Sequence, residues 1–129
     1  MGLDQYFHRH PMPDCSDPDE YCNWPNELLY FRKVNWLNRA IESLIGREVE
    51  NCERLVVPRS YLEEICKRVT MVLRDHDLAP VLLPTQSRFF FGNTEYDEMY
   101  FADLKDVRSK FAQLLDGNAD EVFVYNPDW

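Results

Sequence analysis

The richest concentration of chemically able side chains is the segment Leu83-Pro84-Thr85-Gln86-Ser87-Arg88-Phe89-Phe90-Phe91-Gly92-Asn93-Thr94-Glu95-Tyr96-Asp97-Glu98. Hydroxyl, amide and carboxylate groups here bracket a run of three phenylalanines. Small-molecule sites are mostly apolar walls with a few directional polar groups, and this composition fits that description. Thr85, Gln86, Ser87, Arg88, Thr94 and Tyr96 are therefore candidate ligand contacts, with Gly92 permitting close backbone approach. A structural reading competes with this one. Phe89 to Phe91 would then be a buried strand, and Thr94-x-x-Asp97 would cap a helix whose dipole Asp97 and Glu98 complement.

A second candidate face lies on the first helix, where Phe31, Asn35, Asn38 and Glu42 share one stripe at helical spacing. Asn is a poor helix former, so two on one face need a reason. They recognise a ligand, or they form a buried hydrogen bond that fixes the irregular 85–96 segment. Arg32 and Arg39 point elsewhere together with Trp36. A Trp between two arginines on an exposed face is a candidate partner surface, because these residue types anchor interfaces.

His8, His10, Cys15 and Cys22 are zinc-type ligands, but their spacing lacks the C-x2-C knuckle, and no metal site is expected from it. No cofactor is expected either. Catalytic motifs fail on spacing: there is no G-x-S-x-G elbow, no Walker loop and no H-E-x-x-H. His76, between Asp75 and Asp77 near a helix end, is expected to satisfy carbonyls rather than to act as a base. A non-enzymatic role is favoured. The enzymatic alternative is a small hydrolase or transferase using Asp97, Glu98 and nearby hydroxyls.

The elements that must position these groups follow from periodicity. Residues 3–9 alternate as a first strand, and about 11–26 form a Pro- and Asp-rich loop. A helix is predicted over 27–45, with Tyr30, Val34, Leu37, Ile41 and Leu44 inward and Gly46 stopping it. Residues 52–57 read as a short strand. A second helix runs from Ser60, as N-cap, to Arg74, with Leu62, Ile65, Val69 and Leu73 inward and Cys66 as a small residue on its apolar face. A third covers 97–115, with Phe101, Leu104, Val107, Phe111 and Leu114 inward. Residues 121–125 make the last strand. The expected fold is α+β: about three helices packed on a small, mainly antiparallel sheet, in a single domain spanning 1–129.

The net charge of −9 argues against nonspecific nucleic-acid binding, which relies on Lys and Arg to displace counterions, so no direct nucleic-acid contact is expected. It leaves open a basic protein partner, or mimicry of a nucleic acid's charge. No apolar run approaches a membrane span, and the first residues lack the pattern of a signal peptide, so a cytoplasmic location and four free thiols are expected. A homodimer is compatible with the aromatic content.

Three stretches carry a resemblance. Met1-Gly2-Leu3-Asp4-x-Tyr6, Tyr30-Phe31-Arg32-Lys33-x-Asn35, and Leu82-Leu83-Pro84-Thr85-Gln86-Ser87-x-Phe89-Phe90-Phe91-Gly92-x-Thr94-Glu95-Tyr96-Asp97-Glu98-x-Tyr100 resemble a family of small, functionally uncharacterised phage and prophage proteins. The long central motif is the specific one. The chain departs from the family pattern at Phe31, where Trp is usual, at Asn38, where His is usual, and at Arg88, where Gly is usual. An Asn cannot replace the proton transfer of a His, which weakens an enzymatic reading further. Arg88 would add an anion contact. The resemblance implies a phage origin, the host cytoplasm as location, and action on host machinery or host defence. It implies no reaction. The expected function is an accessory protein that inhibits or sequesters a host component, either a small nucleotide-like ligand or a defence protein. The alternative is an acidic, nucleic-acid-mimicking inhibitor of the anti-CRISPR type.

Overall fold

The computed structural model of the chain describes residues 3–9, 27–86, 95–116 and 122–129. In chain order these form strand β1 (Asp4–Arg9), strand β2 (Glu27–Arg32), helix α1 (Asn35–Ile45), strand β3 (Leu55–Pro58) and helix α2 (Arg59–Arg74). A 3-10 turn (His76–Leu78), the single-turn helix α3 (Ala79–Leu82), helix α4 (Glu98–Leu115) and strand β4 (Val122–Asp128) complete the set. The four strands pair in the order β2-β1-β4-β3, every pair antiparallel. The fold is α+β, with its helices on one face of an antiparallel sheet.

That face is set by alternation along β1 and β4. Gln5, Phe7, Phe123 and Tyr125 are fully buried on the helix side. Phe7 meets Phe111 of α4 edge-on at 5.2 Å, Phe31 of β2 at 6.1 Å and Tyr125 at 5.1 Å. Leu62, Ile65, Val69 and Val72 of α2 and Leu104, Val107 and Phe111 of α4 join the same core. Val72 takes the buried position expected of Leu73, which packs at the core margin with Phe101, Leu114 and Cys66.

The largest departure from expectation is at residues 27–34. The apolar spacing predicts helix there, yet Glu27–Arg32 is a strand paired with β1 from Asp4↔Arg32 to His8↔Glu27. Phe31 turns inward, while Tyr30 is 43% exposed on the other face rather than in a core stripe. The Tyr30 hydroxyl donates to the Asp4 carboxylate at 2.5 Å, and its ring packs on Tyr6 at 5.1 Å. Cross-strand pairs of this kind stabilise a sheet and outweigh a weak helical preference. Lys33, at φ +57°, then breaks the strand and lets α1 begin.

Smaller corrections concern boundaries and caps. The third strand in sequence starts at Leu55, after a turn in which Cys52 has φ +62°. Ser60 is not a cap: α2 begins at Arg59 behind Pro58, which fits an N-terminus because the helix needs no donor there. Asp97, by contrast, caps α4 directly, accepting from Tyr100 N at 3.1 Å. His76 is exposed and stacks on Phe101 at 3.9 Å, so ring contact rather than a carbonyl holds it. No helix among the described residues is long and apolar enough to cross a membrane.

Candidate functional site

The two helix asparagines belong to a buried polar network. Asn35, Asn38 and Glu42 recur along one side of α1 and are all buried. Asn38 Nδ2 donates to Gln86 Oε1 at 2.9 Å, and its Oδ1 accepts from the Tyr125 hydroxyl at 2.7 Å. Gln86 Nε2 donates to Glu42 at 2.5 Å, and Gln86 N donates to Asn35 Oδ1 at 3.3 Å. Tyr125 in turn accepts from Gln5 Nε2 at 3.0 Å, while Gln5 brackets Val34 with both halves of its amide. Val49 N closes the far end on Glu42 at 2.6 Å. Strands β1 and β4, helix α1 and the chain after α3 are thus joined by satisfied polar groups, as burial demands. Burial holds the Tyr125 phenol far above its ordinary range, so it serves as a permanent donor. Phe31, placed beside these residues on a predicted helix, sits in β2 instead.

Next to this network an open cleft of about 430 Å³ separates the β2–α1 junction from the start of α4. Arg32, Lys33, Asn35 and Trp36 line one side; Glu95, Asp97, Met99, Tyr100 and Asp103 line the other. Trp36 is 2% exposed, which corrects the expectation of an exposed tryptophan on a partner surface. It packs on Tyr100 of α4 at 6.3 Å with the rings at 66°. Its buried Nε1–H has no hydrogen-bond partner. Lys33 is pinned in its left-handed conformation by donating its N–H to Leu3 O at 2.6 Å. Backbone strain of that kind recurs where a side chain must be aimed.

The charges around the cleft are unequal in their commitments. Asp97 is engaged as a cap. Arg32 and Lys33 are exposed; among the described residues neither forms an ion pair, and the half-buried Asp103 has no hydrogen-bond or ion-pair partner. Burial first, then the nearby Asp106 and Asp97, push the Asp103 carboxyl up to about 6. The Tyr100 hydroxyl is fixed on Leu83 O at 2.7 Å. Met99 stands 72% exposed at the rim.

The remaining candidates are distributed around this centre. Thr85 N donates to the Tyr96 hydroxyl at 3.3 Å, and Tyr96 packs edge-on against Tyr100 at 5.1 Å. Arg39 Nη1 donates to Thr85 O at 3.2 Å on a different groove, so the three residues expected to form one partner surface divide between two places. Ser87, Arg88 and Thr94 lie outside the described residues, as do His10, Cys15 and Cys22. His8 is buried in β1, and burial, then Arg54, lowers it to about 4. Among the described residues no three His, Cys, Asp or Glu side chains converge on a metal position. Sequence reasoning missed Lys33 and Asp103. Asp97, Tyr100 and Asp103 recur at three-residue spacing on α4, and that signal would have shown a shared face.

Burial raises the Cys66 thiol to about 11 and contributes most to raising Cys52, so neither is an activated thiolate. What the cleft offers is two cations, Arg32 and Lys33, facing the carboxylates of Glu95, Asp97 and Asp103 across an aromatic wall. Comparison of the chain with protein-family models, with curated proteins and with solved structures returns no match.

Proposed function

We propose that this protein is a non-enzymatic phage accessory protein that binds a small nucleotide-like ligand in the Trp36–Tyr100 cleft and sequesters it from a host defence component. The observation that carries the reading is the pair of exposed cations, Arg32 and Lys33, set across one cleft from Asp103. Its volume, about 430 Å³, lies within the range of small-molecule sites. Arg32 and Lys33 suit a phosphate. Tyr100 and Met99 supply apolar wall for a base, and Asp103 suits a ribose hydroxyl or an exocyclic amine. The net charge of −9 disfavours a long polyanion, and with Glu95, Asp97 and Asp103 on the opposite wall a single phosphate would sit on the Arg32–Lys33 side. The phage origin and the counter-defence role rest on the family resemblance.

Isothermal titration calorimetry with mononucleotides, cyclic dinucleotides and the matching nucleosides tests this. At least one nucleotide is expected to bind, its nucleoside to bind at least about tenfold more weakly, and Lys33→Ala to reproduce that loss. Absence of heat with every nucleotide, together with an unshifted melting temperature, would sink the reading. The search would then turn to the acidic surface and a nucleic-acid-binding host complex.

A further inference from the structure

The second groove lies between α1, α2 and α3 and encloses about 560 Å³. Its apolar surface includes Met71, Leu82 and Val81, of which Val81 is 72% exposed and Met71 40%. Around them stand three cations, Arg39, Lys67 and Arg68, and one carboxylate, Glu64. Glu64 is already engaged with Arg68 at 3.3 Å, one helical turn away. Arg39 is held in place by a carbonyl, which orients the guanidinium without neutralising it, and among the described residues Lys67 has no ion pair. A chain of net charge −9 therefore carries a local patch of uncompensated positive charge around exposed aliphatic side chains.

We infer that this groove docks a short acidic segment of a partner protein that inserts one aliphatic side chain between Met71 and Val81. Charge complementarity selects the acid: carboxylates on the segment would meet Arg39 and Lys67, the two cations the protein leaves without a counter-charge. The aliphatic floor selects a peptide with an apolar anchor, in the manner of segments that lay one face into a hydrophobic groove. A nucleic acid fits less well. The groove presents no aromatic ring for base stacking, and a long polyanion would run onto a surface dominated by negative charge. A short segment stays within the patch.

The test is fluorescence anisotropy on the full chain with a short labelled peptide of glutamates flanking a single leucine. Two control peptides replace the glutamates by lysines or the leucine by serine. The glutamate–leucine peptide is expected to bind, more weakly as salt rises, and both controls to lose most of that affinity. Lys67→Glu and Val81→Asp are each expected to weaken it about tenfold or more. Both positions are exposed, so the melting temperature should hold and a folding defect would be visible. Lys33→Ala, in the other cleft, should leave peptide binding intact whatever it does to nucleotides, which separates this proposal from the ligand reading. Equal binding of the lysine peptide, or unchanged binding by both variants, overturns the inference. Tighter binding of an oligothymidylate that displaces the peptide assigns the groove to a polyanion instead. A concentration-dependent dimer in sedimentation equilibrium, abolished by Val81→Asp, assigns it to a second copy of the chain and equally overturns the proposal.

Discussion

The amide of Gln86 meets two partners on α1 of opposite character, accepting from Asn38 and donating to Glu42. Such a network is high in consequence, because any member that leaves strands the rest in a low-dielectric interior. Asn38 is the pivot, since it also receives the Tyr125 hydroxyl, whose only acceptor in the network it is. Asn38→Ala orphans a buried phenol and a buried amide oxygen together. The expected loss is about 2–6 kcal/mol of unfolding free energy in urea titration, at one to three per stranded group. A loss below about 1 kcal/mol would mean that water replaces the asparagine without difficulty. The occurrence of Asn at positions 35 and 38 is explained at this scale: the cost in helix propensity is a few tenths of a kcal/mol, far below the hydrogen bonds gained.

At the scale of elements, the junction of β2 with α1 decides the shape of the cleft. Tyr30, Val34, Leu37 and Ile41 are spaced as if they continued one helix, but the chain is split at Lys33, whose left-handed conformation costs a β-carbon-bearing residue about 1 kcal/mol. The strand before it is fixed by pairing with β1, and the helix after it by Val34's two hydrogen bonds to Gln5. Lys33→Gly therefore has two expected outcomes of opposite sign. Thermal or urea unfolding should show stability unchanged or raised by up to about 1 kcal/mol, because glycine adopts this conformation freely. Nucleotide affinity should fall, because one of the two rim cations is gone. Loss of both would mean that the aliphatic part of the Lys33 side chain contributes packing.

Across the whole molecule, two shifted titrations oppose one another. Asp103 keeps its proton in the folded protein up to about pH 6, whereas its ordinary value is 3.8. The folded state holds the extra proton between those values, so this group makes stability decline as pH rises through them. His8 acts in the other direction, with a folded value of about 4 against 6.5. There the unfolded chain holds the extra proton, and stability declines as pH falls through the window. One proton contributes at most about 1.4 kcal/mol per pH unit, so between about pH 4 and 6 the two slopes offset and flatten the profile. Asp103→Asn removes one of them. Urea titrations across this range should show a variant that loses stability on acidification more steeply than the parent and exceeds it above about pH 6. Parallel profiles would show that Asp103 is solvated when the protein is folded.

The sequence by itself determined what short-range periodicity controls. The apolar stripes of α2 and α4, the stop at Gly46, the alternation of β1 and the apolar start of β4 are local properties, and they give an α+β fold with an antiparallel sheet. The start of α4 near Asp97 follows from residue type and position, although the cap is Asp97 itself rather than Thr94 as the spacing suggests. Tertiary structure decided the rest. Residues 27–32 carry a pattern compatible with both periods, and pairing with β1, from His8↔Glu27 to Asp4↔Arg32, made them β2. Trp36 reads as exposed between two arginines, yet it is buried and packs its ring on Tyr100 of α4, far along the chain. Lys33 and Asp103 become one site only when the β2–α1 junction and α4 are brought face to face. A side chain's period is written in its neighbours along the chain, but which face is covered, and by what, is settled by contacts between residues far apart in sequence.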